Sequence, residues 1–490
     1  MSKGLKFFMS VLLFGGCLLM PACGEKSVEE QPSGEQPSSA GESSPMGFTT
    51  KDGAMDYGKL NEFLRINSEE LETSETEETP ENVILVAAKA SDYSSIYDII
   101  LGFNQSQSEY KAEVKKYEDR DDMLLDLVRG KGCDVLVLPS TYLTMLSDKG
   151  GLEDLAPYIE KSEAVDKEDL FEIVWDIGMA NGKLAGIISD FSVQAILVEK
   201  GYTENGGWTL EKYLALMDLY PDVPLNQYSN AEDFWNWHMN ELGELPESFV
   251  DWETRTCSFD SDEFIQTIQD LKSYLDKGLK VDYDSNGMYL GAERMYRRQI
   301  QTLRVNFEYQ VWFSEYKQIR DTFLDSYELA GFPNLEGEVK YPVQLSDPLC
   351  FCINGASGKK EAAWQLLEYM LSEECQQAIL DARKFGFSVR RDVLEERLQE
   401  EVEADPEEVY YMYTNRYTGE KVIERGEFTE EDKELILYIL NHAAPLPMLY
   451  KDKGFTDIYG EELDAFLAGD KTAEETAKNL QNRMSLYLME

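Results

Sequence analysis

From Asn82 onward the chain sets short, unbroken apolar runs between amphipathic stretches. "NVILVAAK" (Asn82 to Lys89) and "CDVLVLPS" (Cys133 to Ser140) lack the alternation of a half-exposed strand, so they are predicted as strands covered on both faces. Between them Ile96, Ile99, Ile100 and Phe103 recur at helical spacing, and "MLLDLVRG" closes on Gly130 as a helix C-cap does. "NGKLAGIIS" and "QAILVEKG" add strands, and "WTLEKYLALMDLY" reads as a helix capped by Thr209. "SFDSDEFIQTIQDLKSYLDKG" (Ser258 to Gly278) is an amphipathic helix closed by glycine, and "TLRVNFEYQVWFSEY" (Thr302 to Tyr316) is a strand running into an aromatic-rich segment. From Leu349 to Leu380 come a strand, a Gly/Ser turn and a helix with Ala363, Leu366, Met370 and Leu371 on its buried stripe. The terminal helix carries a Thr472/Glu475 capping box and an apolar face of Ala477, Leu480, Met484 and Leu488. Strands alternating with helices at this spacing predict an α/β fold with parallel pairing, and no short repeat points to a solenoid.

The first eighty residues have another character. Lys3 and Lys6, an apolar run from Phe7 to Met20 and small Ala22 before Cys23 form an export leader, too short and Gly-broken for a membrane span. The stretch "LLMPACGEKS" (Leu18 to Ser27) resembles a bacterial lipoprotein lipobox, which implies cleavage before Cys23 and a diacylglycerol on its sulfur. Met20 and Pro21 depart from the usual lipobox residues; Cys17 is the alternative acceptor, and an ordinary secretory signal the alternative leader. Residues 23–80 are rich in Glu, Ser, Gly and Pro, which cannot bury enough apolar surface to fold alone and read as a flexible acidic tether. A chain of that length reaches roughly 40 Å.

Composition narrows the function. With 46 Lys+Arg against 94 Asp+Glu the formal net charge is −48, a field that repels phosphate backbones and anionic lipid, so nucleic-acid binding is excluded and any membrane attachment falls to the lipid. Of seven cysteines, Cys133, Cys257, Cys350, Cys352 and Cys375 remain in the body, an odd number without a CxxC, while His238 and His442 are the two imidazoles. Buried thiols are expected there, with no zinc site and no cofactor.

Four stretches in order, "CDVLVLPS", "GKLAGIISDFSVQAILVEKG" with "WTLEKYLALM", "INGASGKKEAAWQLLEYMLSEECQ" and "FLAGDKTAEETAKNLQNRMSLYLME", are similar to the extracellular solute-binding proteins of ABC transporters, the large family that includes maltose-binding protein. The resemblance covers residues 82–490 and implies a two-lobed periplasmic-binding-protein-like α/β fold with a ligand cleft between the lobes, handing its solute to permease subunits, as a monomer. It implies a first lobe of residues 81–188 plus 331–384 and a second of 189–330 plus 385–490. The chain would cross near Ile188 to Ser192, Ala330 to Pro333 and Phe385 to Val389. Ile188-Ser189 stands where the family commonly has a proline, and "EVYYMYTNRYTGEKVIERGEFTEEDKE" reads as an added hairpin before a helix.

Ligands of open α/β sheets lie beyond the carboxyl ends of the strands. That rule selects Asp92 and Tyr93 after the first strand, Tyr142 after "VLPS", and Asp190 and Phe191 at the first crossing as ligand-binding candidates. Asn306, Glu308, Tyr309 and Trp312 follow the Thr302 strand and match a family segment that often supplies a stacking ring; Ser346, Asp347 and Arg390 complete the set. Core packing, or a helix cap for Asp92, is the competing role of each. Trp235 and Trp237 in "FWNWHMN" point differently on a helix, so at least one is expected in the core. Aromatic residues make up 12% of the chain, with 28 Tyr, and rings beside carboxylates and amides suit a sugar's C–H face and hydroxyls. A mono- or oligosaccharide is the expected solute. A surface glycoside hydrolase and a binding protein that feeds a surface receptor are the competing readings; the first finds no nucleophile motif, and no glycoside hydrolysis is expected.

Overall fold

The computed structural model describes residues 80–489 apart from 131, 149, 221–222, 224–243, 253, 277–294, 296–300, 308–315, 317–318, 344–347, 383–385, 406–409, 415–420, 426–427 and 446–452. The strands used below are β1 (Val83–Lys89), β2 (Lys111–Tyr117), β3 (Val135–Pro139), β4 (Ile187–Ile188), β5 (Asp190–Phe191), β6 (Val193–Glu199), β7 (Thr302–Phe307), β8 (Tyr327–Ala330), β9 (Tyr341–Pro342), β10 (Leu349–Ile353), β11 (Phe387–Ser388) and β12 (Ala443–Ala444).

Five of them form the first sheet in the order β2-β1-β3-β10-β4. β1 runs parallel to β2 and β3, while β10 is antiparallel to β3 and β4. The predicted central strands are there: Ile84, Val86, Ala87 and Ala88 are fully buried in β1, and every residue of β3 is buried. β2 was not anticipated. It is an edge strand whose sequence, KAEVKKY, leaves Lys111, Glu113, Lys115 and Lys116 exposed, buries Ala112 and Tyr117 and packs half-buried Val114 on the apolar core, so its lysines mask its period while guarding the edge.

Helix α1 (Tyr93–Ser106) links β1 to β2, and α2 (Arg120–Val128) precedes β3, ending at Gly130 in the left-handed region (φ 68°). The second sheet has three antiparallel strands with β6 central between β7 and β8. Both faces of β6 are core: Ala195 and Leu197 point into the larger apolar cluster, Ile196 and Val198 into a smaller one. That smaller cluster is filled by α3 (Leu210–Leu219), α4 (Asp262–Asp276), the helix Lys453–Leu467 and the helix Ala473–Met489, and is rich in rings such as Trp208 against Tyr213, 5.0 Å apart and edge-on. The Thr209 cap and the Thr472/Glu475 box form as expected, Thr472 N donating to Glu475 and Glu475 N to Thr472 Oγ1.

Two features of the chain's course differ from expectation. Residues from Phe387 to Glu403, expected in a second lobe, pack on elements of the first: Phe171 N donates to Val389 O, and Val393, Leu394 and Leu398 join the larger cluster. β9 pairs in parallel with β12, so the chain meets the Tyr341 segment again at Ala443, after the helix Glu430–Asn441. The added hairpin is present, Tyr410–Thr414 pairing with Lys421–Arg425. None of the five body cysteines is in a disulfide, and burial pushes the thiols of Cys133, to about 11, and Cys375, to about 12, out of reach of neutral pH. Among the described residues no cluster of metal-binding side chains occurs, and no helix is long and apolar enough to cross a membrane.

Candidate ligand-binding cleft

Between Ile187 and Glu199 the chain passes through three pairings in succession. β4 closes the first sheet, β5 pairs with β11, and β6 becomes the centre of the second sheet. The first crossing proposed from the sequence, near Ile188 to Ser192, falls within this stretch. Because β1, β3 and β4 run in the same direction, their carboxyl ends share one edge of the first sheet, which carries Asp92, Tyr142 and Asp190. β10 starts from that edge, where Ser140 N donates to Pro348 O. β7 reaches the crossing from the other sheet, its Phe307 opposite Val193.

Asp92 takes no helix-capping hydrogen bond. Its carboxylate instead holds the Arg120 guanidinium at 2.7 Å and accepts from Ser91 Oγ. The next residue, Asp121, has a carboxyl pushed up to about 6 by burial and by the charges of Asp119 and Asp122. Tyr93 opens α1, and half-buried Tyr142 ends a short turn after β3. Asp190 accepts from Gly386 N and Ser189 Oγ, each at 2.8 Å. Burial pushes its carboxyl above the ordinary range, and the two hydrogen bonds pull the other way.

Phe191 and Arg390, expected at the ligand, are internal. Phe191 is buried edge-on against Phe171 and beside Phe387. Arg390, 3% exposed, spends its guanidinium on Asp392, Asp169 and the carbonyls of Ala164 and Leu371. A cation at this depth needs exactly such internal partners. Glu308, Tyr309, Trp312, Ser346 and Asp347, and with them Trp235 and Trp237, lie outside the described residues.

Two residues central to this region were not singled out from the sequence. Gln376, fully buried on the helix Glu373–Ala382, donates to Ser189 O and Met370 O and accepts from Ser388 Oγ and Val389 N. It thereby ties the first crossing to β11. Gly386 lies so close to Phe191 O that a Cβ would stand 2.3 Å from it. The available signal was a glutamine on the apolar stripe of Cys375, Ile379 and Leu380.

No curated protein matches the sequence. Among solved structures the chain is similar to the sugar-binding protein MalE of Xanthomonas citri, at 14% identity and TM-score 0.54, covering 83% of this chain and 97% of that one. It is also similar to an ABC substrate-binding protein of Listeria monocytogenes in complex with cycloalternan (16%, TM-score 0.51, 83% and 99%) and to the cyclic alpha-maltosyl-1,6-maltose binding protein of Arthrobacter globiformis (13%, TM-score 0.50, 83% and 98%). These likenesses carry the two-lobed α/β fold. Residues 102–409, more than half of the chain, match the bacterial extracellular solute-binding protein family, and with the two sheets joined through Ile187–Glu199 the chain belongs to that family of extracytoplasmic binding proteins.

Proposed function

We propose that the protein captures a small carbohydrate by closing its two lobes on it, and delivers it to an ABC importer while tethered to the membrane by a lipid on Cys23. One observation carries the reading: in a chain of this family, the carboxyl ends of β1, β3 and β4 share an edge beside the crossing. Hinge closure across such a joint buries a solute from both sides. Support for a carbohydrate comes from similar structures described as sugar-binding or in complex with cycloalternan, and from the tyrosine-rich composition. Asp92 and Tyr142 are the described side chains we assign to ligand contact, with Tyr93, Glu308, Tyr309, Trp312 and Asp347 as further contacts. Asp190 holds the joint.

A thermal-shift screen of the purified protein against mono- and oligosaccharides tests this. A ligand of the folded state at a hundred times its Kd stabilises by about 2.7 kcal/mol, so a saturating rise in Tm is expected. If amino acids or peptides shift the transition and no sugar does, the carbohydrate assignment falls while the binding role stands. For the anchor, Cys23→Ala is expected to abolish metabolic labelling by fatty acid and release the protein from the membrane fraction. Label that persists would move the lipid to Cys17 or remove it from this leader.

A further inference from the structure

A second cavity, of about 140 Å³, lies in the second sheet away from the crossing. β6 leaves the crossing at Val193 and ends at Glu199, so its far end is about 20 Å from the joint at the rise of a strand. There Tyr327 of β8 is the direct ladder partner of Glu199, which puts both side chains on one face. Tyr202, in the turn after β6, and Tyr220, just past α3, close the cavity with their hydroxyls 2.9 Å apart. Gln301 donates its Nε2 to Val223 O at 2.8 Å, and its Oε1 is left buried with no partner. Because Val223 O needs that donor, the amide orientation is fixed and the orphan is an acceptor.

The chemistry of this wall is one-sided. Among the described residues no Lys or Arg lines the cavity, and Glu199 forms no ion pair. The hydrogen bond to Tyr220, aided by burial and by Glu199, holds the Tyr202 hydroxyl up at about 12, so that phenol stays neutral. Aromatic rings around a carboxylate attract an alkylated ammonium. An anion would meet only repulsion. We propose that this cavity is a second binding site, taking a small alkylated ammonium cation, separate from the solute cleft.

Choline and its uncharged carbon isostere, dimethylbutanol, make the test, by calorimetry on the full chain at low salt. Choline is expected to bind saturably, and dimethylbutanol about tenfold or more weaker, the size of a desolvated cation–π contribution. Glu199→Gln and Tyr220→Ala are each expected to weaken choline by about tenfold with the melting curve retained. Tyr220 is substantially exposed, so the second variant spares the core. Equal binding of the two probes, unchanged affinity in both variants, or no saturation in the millimolar range would overturn the site. Sugar binding in the cleft should be the same in all three proteins, so failure here and failure of the solute reading are separable.

Discussion

Replacing Gln376 by leucine is expected to cost roughly 3–5 kcal/mol of stability, the range reached when a buried polar network loses its centre. The two side chains have similar volumes, so packing changes little, and the effect isolates the hydrogen bonds. In the wild-type protein the amide serves four partners: the carbonyls of Ser189 and Met370, the hydroxyl of Ser388 and the N–H of Val389. Leucine leaves the Ser189 carbonyl and the Val389 N–H buried and unmatched, at about 1–3 kcal/mol each. Ser388 keeps a second bond to the Arg390 carbonyl, which tempers its loss. Urea denaturation of the two proteins measures the difference. A leucine variant within about 0.5 kcal/mol of wild type, the ordinary scatter of surface substitutions, would show that the amide does not hold the joint.

The elements visible in the sequence were those whose burial is written into their period. β1 and β3 carry unbroken apolar runs, and β6 one from Ala195 to Val198, because both faces are covered, and the Thr472/Glu475 box states its own geometry. β2 escaped notice because three exposed lysines break up its apolar positions, and its two buried residues, Ala112 and Tyr117, stand an odd number of positions apart and give no alternating stripe. Site residues were harder to read, since a position after a strand fixes where a side chain starts and not what it meets. Asp92 meets Arg120, Asp190 meets Gly386, and Arg390 meets two aspartates, all across sequence separations that no local pattern encodes, save the Asp392 contact. The late return of the chain at β12 was hidden for the same reason. Helices such as Arg391–Glu403 carry an apolar stripe that suits either lobe, and the partner is chosen only when the sheets assemble.

Gly386→Ala tests the joint from its other side. A Cβ on Gly386 would stand 2.3 Å from Phe191 O, 2.6 Å from Phe191 C and 2.9 Å from Asp190 Oδ1. Two of those atoms are backbone in a paired strand, so relief means opening the β5/β11 ribbon rather than turning a side chain. Overpacking of this kind costs about 1–3 kcal/mol, and the Gly386 N–H bond to Asp190 is lost with it. The second loss gives the variant a pH signature. Asp190 has a carboxyl raised by burial, so the folded state favours its protonated form, and the carboxylate lowers stability as pH rises above its unfolded value. Gly386 N is one of the two donors that hold that shift down. Without it the folded value rises further, and the burden grows on the alkaline side alone. The stability deficit of the alanine variant is therefore expected to be larger at about pH 8 than at about pH 4, because the carboxylate, not the neutral acid, is the form that Gly386 N stabilises. Solute affinity should fall in parallel, because the ribbon that opens is the one the chain crosses. Equal deficits at the two pH values would mean that the clash alone acts and that Asp190 draws nothing from Gly386.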